Sequence, residues 1–217
     1  MTKARSAIDM LETDPELYRY LVRRMGKAHL RQRAGIETEH AADRFGQGRT
    51  FLHIENWRRA STLINLVLRV TGMSARGKAN VEDFRVQHNR IALPRLPAAF
   101  EGFTVLHLSD LHLDVLDTFP QRLAERVSAL DYDLCVLTGD YRFLTHGCHL
   151  KAMQGLQRLC RDINSDIYAV LGNHDSIFMA QPIEALGVKL LLNEHVALRR
   201  GGATLYLAGI DDPHYFA

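Results

Sequence analysis

The chain has 217 residues, 47% of them apolar and 24% charged, with a formal net charge of +2. That composition excludes a disordered tail, a collagen-like fibre and a disulfide scaffold, and no run of 18 apolar residues supplies a membrane-spanning helix. Cys135, Cys148 and Cys160 form no C-x-x-C pair and read as small hydrophobes in a reducing compartment; with no secretory apolar run at the start, the expected location is cytoplasmic.

The charge is unevenly spread: residues 1–80 hold 15 Lys/Arg against 8 Asp/Glu, and residues 81–217 hold 12 against 17. The first predicted element is a helix from Pro15 to Gln32, with Asp14 as N-cap, Pro15 at the first helical position, and Leu17, Tyr20, Leu21 and Met25 on one side. A second helix is expected from about Ile54 to Val70, carrying Trp57, Ile64, Val67 and Leu68, closed by Gly72 and followed by a linker beginning at Arg76-Gly77-Lys78. Residues 1–80 therefore read as a basic helical N-terminal extension and 81–217 as a separate domain. Three uses are open to the amphipathic basic surface: packing against the rest of the chain or a second protomer, contact with an anionic membrane surface at the inner membrane face, or nucleic acid. Nucleic acid ranks last, because no aromatic stacking platform and no known binding motif accompany the positive residues.

Val81 to Leu93 is expected to form an edge strand or hairpin. Beyond it, three short apolar runs read as buried strands: Phe103 to Leu108, Leu134 to Leu137, and Ile167 to Leu171. Helical spacing of apolar residues fills the gaps, over Thr118 to Leu130 and Leu150 to Ile163, so the order is β-α-β-α-β. Val188 to Leu192, His195 to Arg199 and Ala203 to Ala208 read as further strands, the last two joined by a turn at Arg200-Gly201-Gly202.

Directly after the three buried strands come Asp110-Leu111-His112, Gly139-Asp140 and Gly172-Asn173-His174-Asp175. In a parallel sheet these positions fall at the carboxyl ends of the strands, where ligands gather. Carboxylate oxygens and imidazole nitrogens suit Mn, Fe or Zn, and a bridging carboxylate can hold two such ions close enough to clamp a phosphoryl group and supply a hydroxide nucleophile. Taken singly, Asp110 and His112 could cap the next helix, and Asn173 with Asp175 could form an Asx turn. Three such motifs at three consecutive strand ends favour a metal site. Arg142, two residues after Asp140, is a candidate substrate contact to phosphate, with an exposed salt bridge as the alternative. His107 is expected as a satisfied core histidine, His146 and His149 as groove-lining or solvated, and His214 as part of a turn.

In order and spacing the motifs resemble those of the calcineurin-like metallophosphoesterases: D-x-H, then G-D, then G-N-H-[DE]. The resemblance implies an α/β fold, a two-sheet sandwich flanked by helices. It also implies that Asp110 and His112 ligate a first metal, that Asp140 bridges, that Asn173 ligates a second metal, and that His174 contacts the phosphate and stabilises or protonates the leaving oxygen. Two divalent ions, Mn, Fe or Zn, are the implied cofactors. The family's later histidines, including a Gly-His-x-His segment, have no match here, since none of the 15 glycines precedes a histidine. The expectation is a domain incomplete at its C-terminal end, with a sheet edge left unpaired. Leu-Ser-Asp-Leu-His-Leu, Leu-Thr-Gly-Asp-Tyr-Arg and Ala-Gly-Ile-Asp-Asp-Pro are most similar to a bacterial branch containing phosphodiesterases and the UDP-2,3-diacylglucosamine pyrophosphatases of lipid A synthesis. The expected function is hydrolysis of a phosphoric ester, with a lipid-linked nucleotide as the substrate the branch implies. The alternative is a non-catalytic binding protein that retains half of the fold.

Overall fold

Asp14 accepts hydrogen bonds from the amides of Glu16 and Leu17 at 3.2 and 3.0 Å, which starts a helix α1 (Pro15–Met25) where the capping residue predicts it. The computed structural model describes residues 13–44 and 66–212 together with positions 7, 11 and 64. Most of the helix expected over Ile54–Val70, including Trp57, and the turn expected at His214 lie outside the described residues. The single helix expected to Gln32 is in fact two: Gly26, at φ 80°, ends α1, and α2 runs Lys27–Arg44. A residue without Cβ takes that backbone conformation at no steric cost.

The apolar side of α1 is packed onto the rest of the chain. Leu21, Leu30 and Ala34 are fully buried in the main core, with Leu17, Tyr20 and Met25 against it. Each buried leucine contributes about 1.5–3 kcal/mol relative to exposure. Arg24 locks the arrangement by reaching Glu184 at 2.5 Å and Glu194 at 2.6 Å.

Two expectations fail between residues 72 and 97. Arg76-Gly77-Lys78 is not a linker but lies within a helix α3 (Met73–Glu82). Val81 to Leu93 is not a strand or hairpin: the chain leaves α3 and runs without regular structure. The apolar alternation there meets no partner strand among the described residues, and Ile91 and Leu93 stay exposed. Phe84 packs edge-on against Phe119 instead, with ring centroids 5.7 Å apart.

The sheet then follows the predicted order. Strands β1 (Val105–Leu108), β2 (Leu134–Leu137), β3 (Asp166–Ala169) and β4 (Lys189–Leu190) are all parallel and neighbour one another in chain order. Helices α4 (Phe119–Ser128) and α5 (Leu150–Cys160) make the crossovers, and a short α6 (Ala180–Glu184) precedes β4. Alternation along the strands divides two cores. Cys135, Leu137, Ile167 and Ala169 share one with Leu123, Val127, Leu156 and Leu159 of α4 and α5. Leu134, Val136, Tyr168 and Val170 share the other with Val196, Leu198 and Leu207 of an antiparallel hairpin, β5 (Glu194–Arg200) and β6 (Ala203–Gly209). Gly201 and Gly202 turn that hairpin with φ of 54° and 79°, the positive pair that a tight two-residue turn demands. The result is an α/β fold, a parallel sheet with helices on one face and a two-stranded sheet on the other. His107 departs from its expected place in the core: it is exposed on β1, with Nε2 2.8 Å from the Thr138 hydroxyl.

Candidate metal centre

Every expected ligand sits in a loop that leaves a strand's carboxyl end. The first two loops are zipped together by their backbones: the Asp110 amide donates to the Gly139 carbonyl at 3.2 Å, His112 to Asp140 at 2.9 Å, and Leu113 to Tyr141 at 2.8 Å. To face one another in this way, Asp110, His112 and Asp140 adopt φ of 53°, 40° and 55°. Left-handed backbone at non-glycine residues costs of order 1–3 kcal/mol each and concentrates where side chains are held for function. Among the described non-glycine residues only Asn193 shares that conformation without belonging to these loops.

The glycines of the second and third motifs exist for contact. A Cβ on Gly139 would stand 2.2 Å from the Gly172 nitrogen, and a Cβ on Gly172 would stand 2.2 Å from Oδ1 of Asp140. Only two bare backbones let the β2 and β3 loops approach this closely.

Asp175 holds the approach together. Its carboxylate is 1% exposed and accepts the amides of Asp140 at 2.7 Å, Tyr141 at 2.9 Å and Gly172 at 3.0 Å. Burial pushes its pKa up to about 6, against the downward pull of the Gly172 and Tyr141 amides. The local-turn role open to Asp175 in the sequence is therefore the smaller part of its work; it joins two strand ends.

The donor atoms of Asp110, His112 and Asp140 all lie within 4.8 Å of one another. Asp140 is nearly buried, and its Oδ1 accepts the His174 amide at 2.9 Å. His112 Nδ1 is 2.9 Å from the Arg142 carbonyl, and His174 Nδ1 is 2.5 Å from the Phe143 carbonyl. A carbonyl only accepts, so each ring carries a proton on Nδ1 and presents Nε2, the arrangement by which a backbone oxygen orients a metal-ligating or proton-donating histidine. The two rings stand edge to face, centroids 5.1 Å apart. Asp110, Asp140 and Asn173 also line a cleft of about 330 Å³, together with Thr138, Asp211 and Asp212. A hard, anionic donor set with orienting partners fits divalent Mn, Fe or Zn.

Arg142 is not brought to this cleft. It is 3% exposed, and its guanidinium donates to the carbonyls of His174 at 2.5 Å, Thr145 at 2.9 Å and Gly147 at 3.2 Å. The fork expected to meet phosphate is spent on three backbone oxygens, and through them it shapes the loop behind His174. His146 and His149 do not line the cleft either. His149 precedes α5, where burial and then the Arg142 charge lower its pKa.

Residues 103–216, more than half of the chain, match the family model of the calcineurin-like phosphoesterases. The chain belongs to that family. Among proteins similar to this chain is "Uncharacterized metallophosphoesterase YkoQ" of Bacillus subtilis, 31% identical over 147 residues, covering 62% of this chain and 53% of that protein. Another is "UDP-2,3-diacylglucosamine pyrophosphatase LpxG" of Chlamydia muridarum, 33% identical over 89 residues, covering 38% of this chain and 26% of that protein. The chain thus spans about half the length, or less, of these relatives. Asp211 and Asp212 also line the cleft, although no motif in the sequence marks them as site residues. Their signal was their place directly after the β6 strand.

Proposed function

We propose that this chain is the metal-holding part of a hydrolase of phosphodiesters or pyrophosphates. The observation that carries the proposal is the convergence of Asp110, His112 and Asp140 within 4.8 Å at the carboxyl ends of adjacent parallel strands. Asp110 and His112 would hold one divalent ion, Asp140 would bridge, and Asn173 would hold a second. When bound, such ions polarise a phosphoryl group and supply a nucleophile at neutral pH. The protein's own share is positional and acid–base. Asp175 and the Gly139–Gly172 contact fix the ligand loops, the Arg142 and Phe143 carbonyls orient the two imidazoles, and His174, as the imidazolium with a proton on each nitrogen, delivers the Nε2 proton to the leaving oxygen and keeps the one on Nδ1.

A lipid-linked nucleotide is the substrate class we favour, and two observations support it. One is the similarity to the pyrophosphatase named above. The other is an exposed apolar stripe of Leu66, Val67, Val70 and Met73, beside Arg69, Arg76 and Lys78, suited to an anionic membrane surface of the kind found in lipid A biosynthesis. No helix among the described residues is long and apolar enough to cross a membrane, so a peripheral placement at the inner, cytoplasmic face is proposed.

The test is hydrolysis of bis(p-nitrophenyl) phosphate and of UDP-2,3-diacylglucosamine by the purified chain supplied with manganese, iron or zinc, alongside His174→Ala. Metal-dependent turnover, lowered about a hundredfold or more in the variant, is expected, the range that general acid–base groups contribute. Absence of both turnover and metal uptake would instead support the non-catalytic binding protein.

A further inference from the structure

Helix α2 lies outside the residues matched by the family model, yet it grips two walls of the cleft. Arg33 is 0% exposed. Its guanidinium is ion-paired to Oδ1 of Asp211, donates to the Asp175 carbonyl at 3.3 Å, and holds Oε1 of Glu37 at 3.1 Å. His29, one turn earlier, places Nε2 2.9 Å from the other Asp211 oxygen. Glu37, one turn later, accepts the Ser176 hydroxyl at 2.7 Å and the Ile177 amide at 2.9 Å. Three side chains along one face of α2 thereby clamp the loop that carries Asn173 and His174, and the segment after β6 that carries Asp211 and Asp212.

We propose that Arg33 is a positioning residue for the metal cleft, acting through Asp211 and Asp175, with Glu37 as its relay to the third motif. The inference rests on the metal-holding reading of the same cleft. A buried guanidinium is costly unless every donor is used, and its use here sets the spacing between two loops that share no strand pairing. With both its oxygens engaged by α2, Asp211 is a strut, and the clamp leaves Asp212 beside it on the cleft wall. The basic N-terminal segment therefore has a role inside the domain as well as on its surface.

The test compares Arg33→Met and Arg33→Lys with Arg24→Ala, which loosens α1 from Glu184 and Glu194 and removes no side chain that lines the cleft. Manganese affinity is measured by titration calorimetry, and amide hydrogen exchange is followed over 172–177 and 209–212. Arg33→Met should weaken manganese about tenfold or more, as loss of outer-shell partners does, and should speed exchange in both segments. Arg33→Lys should recover part of each effect, and Arg24→Ala should leave manganese affinity and exchange over 172–177 as in the unaltered chain. Equal behaviour of Arg33→Met and Arg24→Ala would overturn the proposal. If Arg33→Met does not fold, Glu37→Gln carries the same comparison through the 172–177 segment. An unaltered chain that takes up no manganese removes the metal function, and hydrogen exchange still decides the role of Arg33.

Discussion

The strand-end loops and the N-terminal helices solve opposite problems. The loops hold Asp110, His112 and Asp140 in left-handed backbone, abut two glycines and bury the Asp175 carboxylate, so they store strain and depend on a few hydrogen bonds. The helices α1 and α2 take ordinary geometry, begin at a capped Asp14 and gain their hold from buried leucines and from Arg24 and Arg33. The proposed metal centre thus falls on the strained region, and the relaxed region braces it. A change in the loops should abolish the site before it unfolds the chain, whereas a change in α1 should cost stability and leave the site's chemistry alone.

The sharpest break in that comparison is Gly172→Ala. Its methyl would fall on Oδ1 and the amide nitrogen of Asp140, so a loss of about 3 kcal/mol or more is expected, at the upper end of overpacking costs. Urea denaturation measures it, and metal uptake should vanish even at temperatures where the variant stays folded. Next comes Asp175→Ala, which strands the amides of Asp140, Tyr141 and Gly172. Partial rescue by water should limit the cost to about 2–4 kcal/mol, read in the same denaturation experiment. On the helix side, Arg24→Ala should cost about 1–2 kcal/mol, since its pairs are part-exposed and partly screened by solvent. This cost has a pH signature. The hydrogen bond from Arg24 holds the Glu194 pKa below its ordinary value of 4.5. A depressed carboxylate stabilises the fold fully above that ordinary value, and the contribution fades as pH falls through the lowered one. The difference between Arg24→Ala and the unaltered chain should therefore be constant near neutrality and shrink below pH 4.5. The smallest effect is Val70→Ser, which should shift stability by less than about 0.5 kcal/mol because the side chain is exposed. The same variant should lower flotation with anionic vesicles if the exposed stripe is a membrane contact.

The two regions also differ in how far the sequence reveals them. The β-α-β-α-β order was legible because each strand is a short apolar run closed by turn residues, and because Phe119, Leu123 and Val127 repeat at helical spacing. The motifs were legible because they abut those strands. What one motif residue does with its side chain was not: Arg142 stands next to the ligand loop in sequence, yet its fork turns inward to three carbonyls. Val81 to Leu93 alternates like a strand, but alternation yields a strand only where a partner lies alongside. The break at Gly26 was hidden because apolar residues continue on either side of it. Arg33 was illegible for a different reason: its partners Asp175 and Asp211 stand 142 and 178 residues away, a pairing that no local pattern encodes.

The most direct test of the metal centre is titration calorimetry of manganese into the purified, metal-stripped chain and into Asp140→Asn. The account predicts saturable uptake by the unaltered chain and a loss of affinity of about a hundredfold or more in the variant, beyond what removing an outer-shell partner costs. Equal affinity in the two, or no uptake by either, would contradict it.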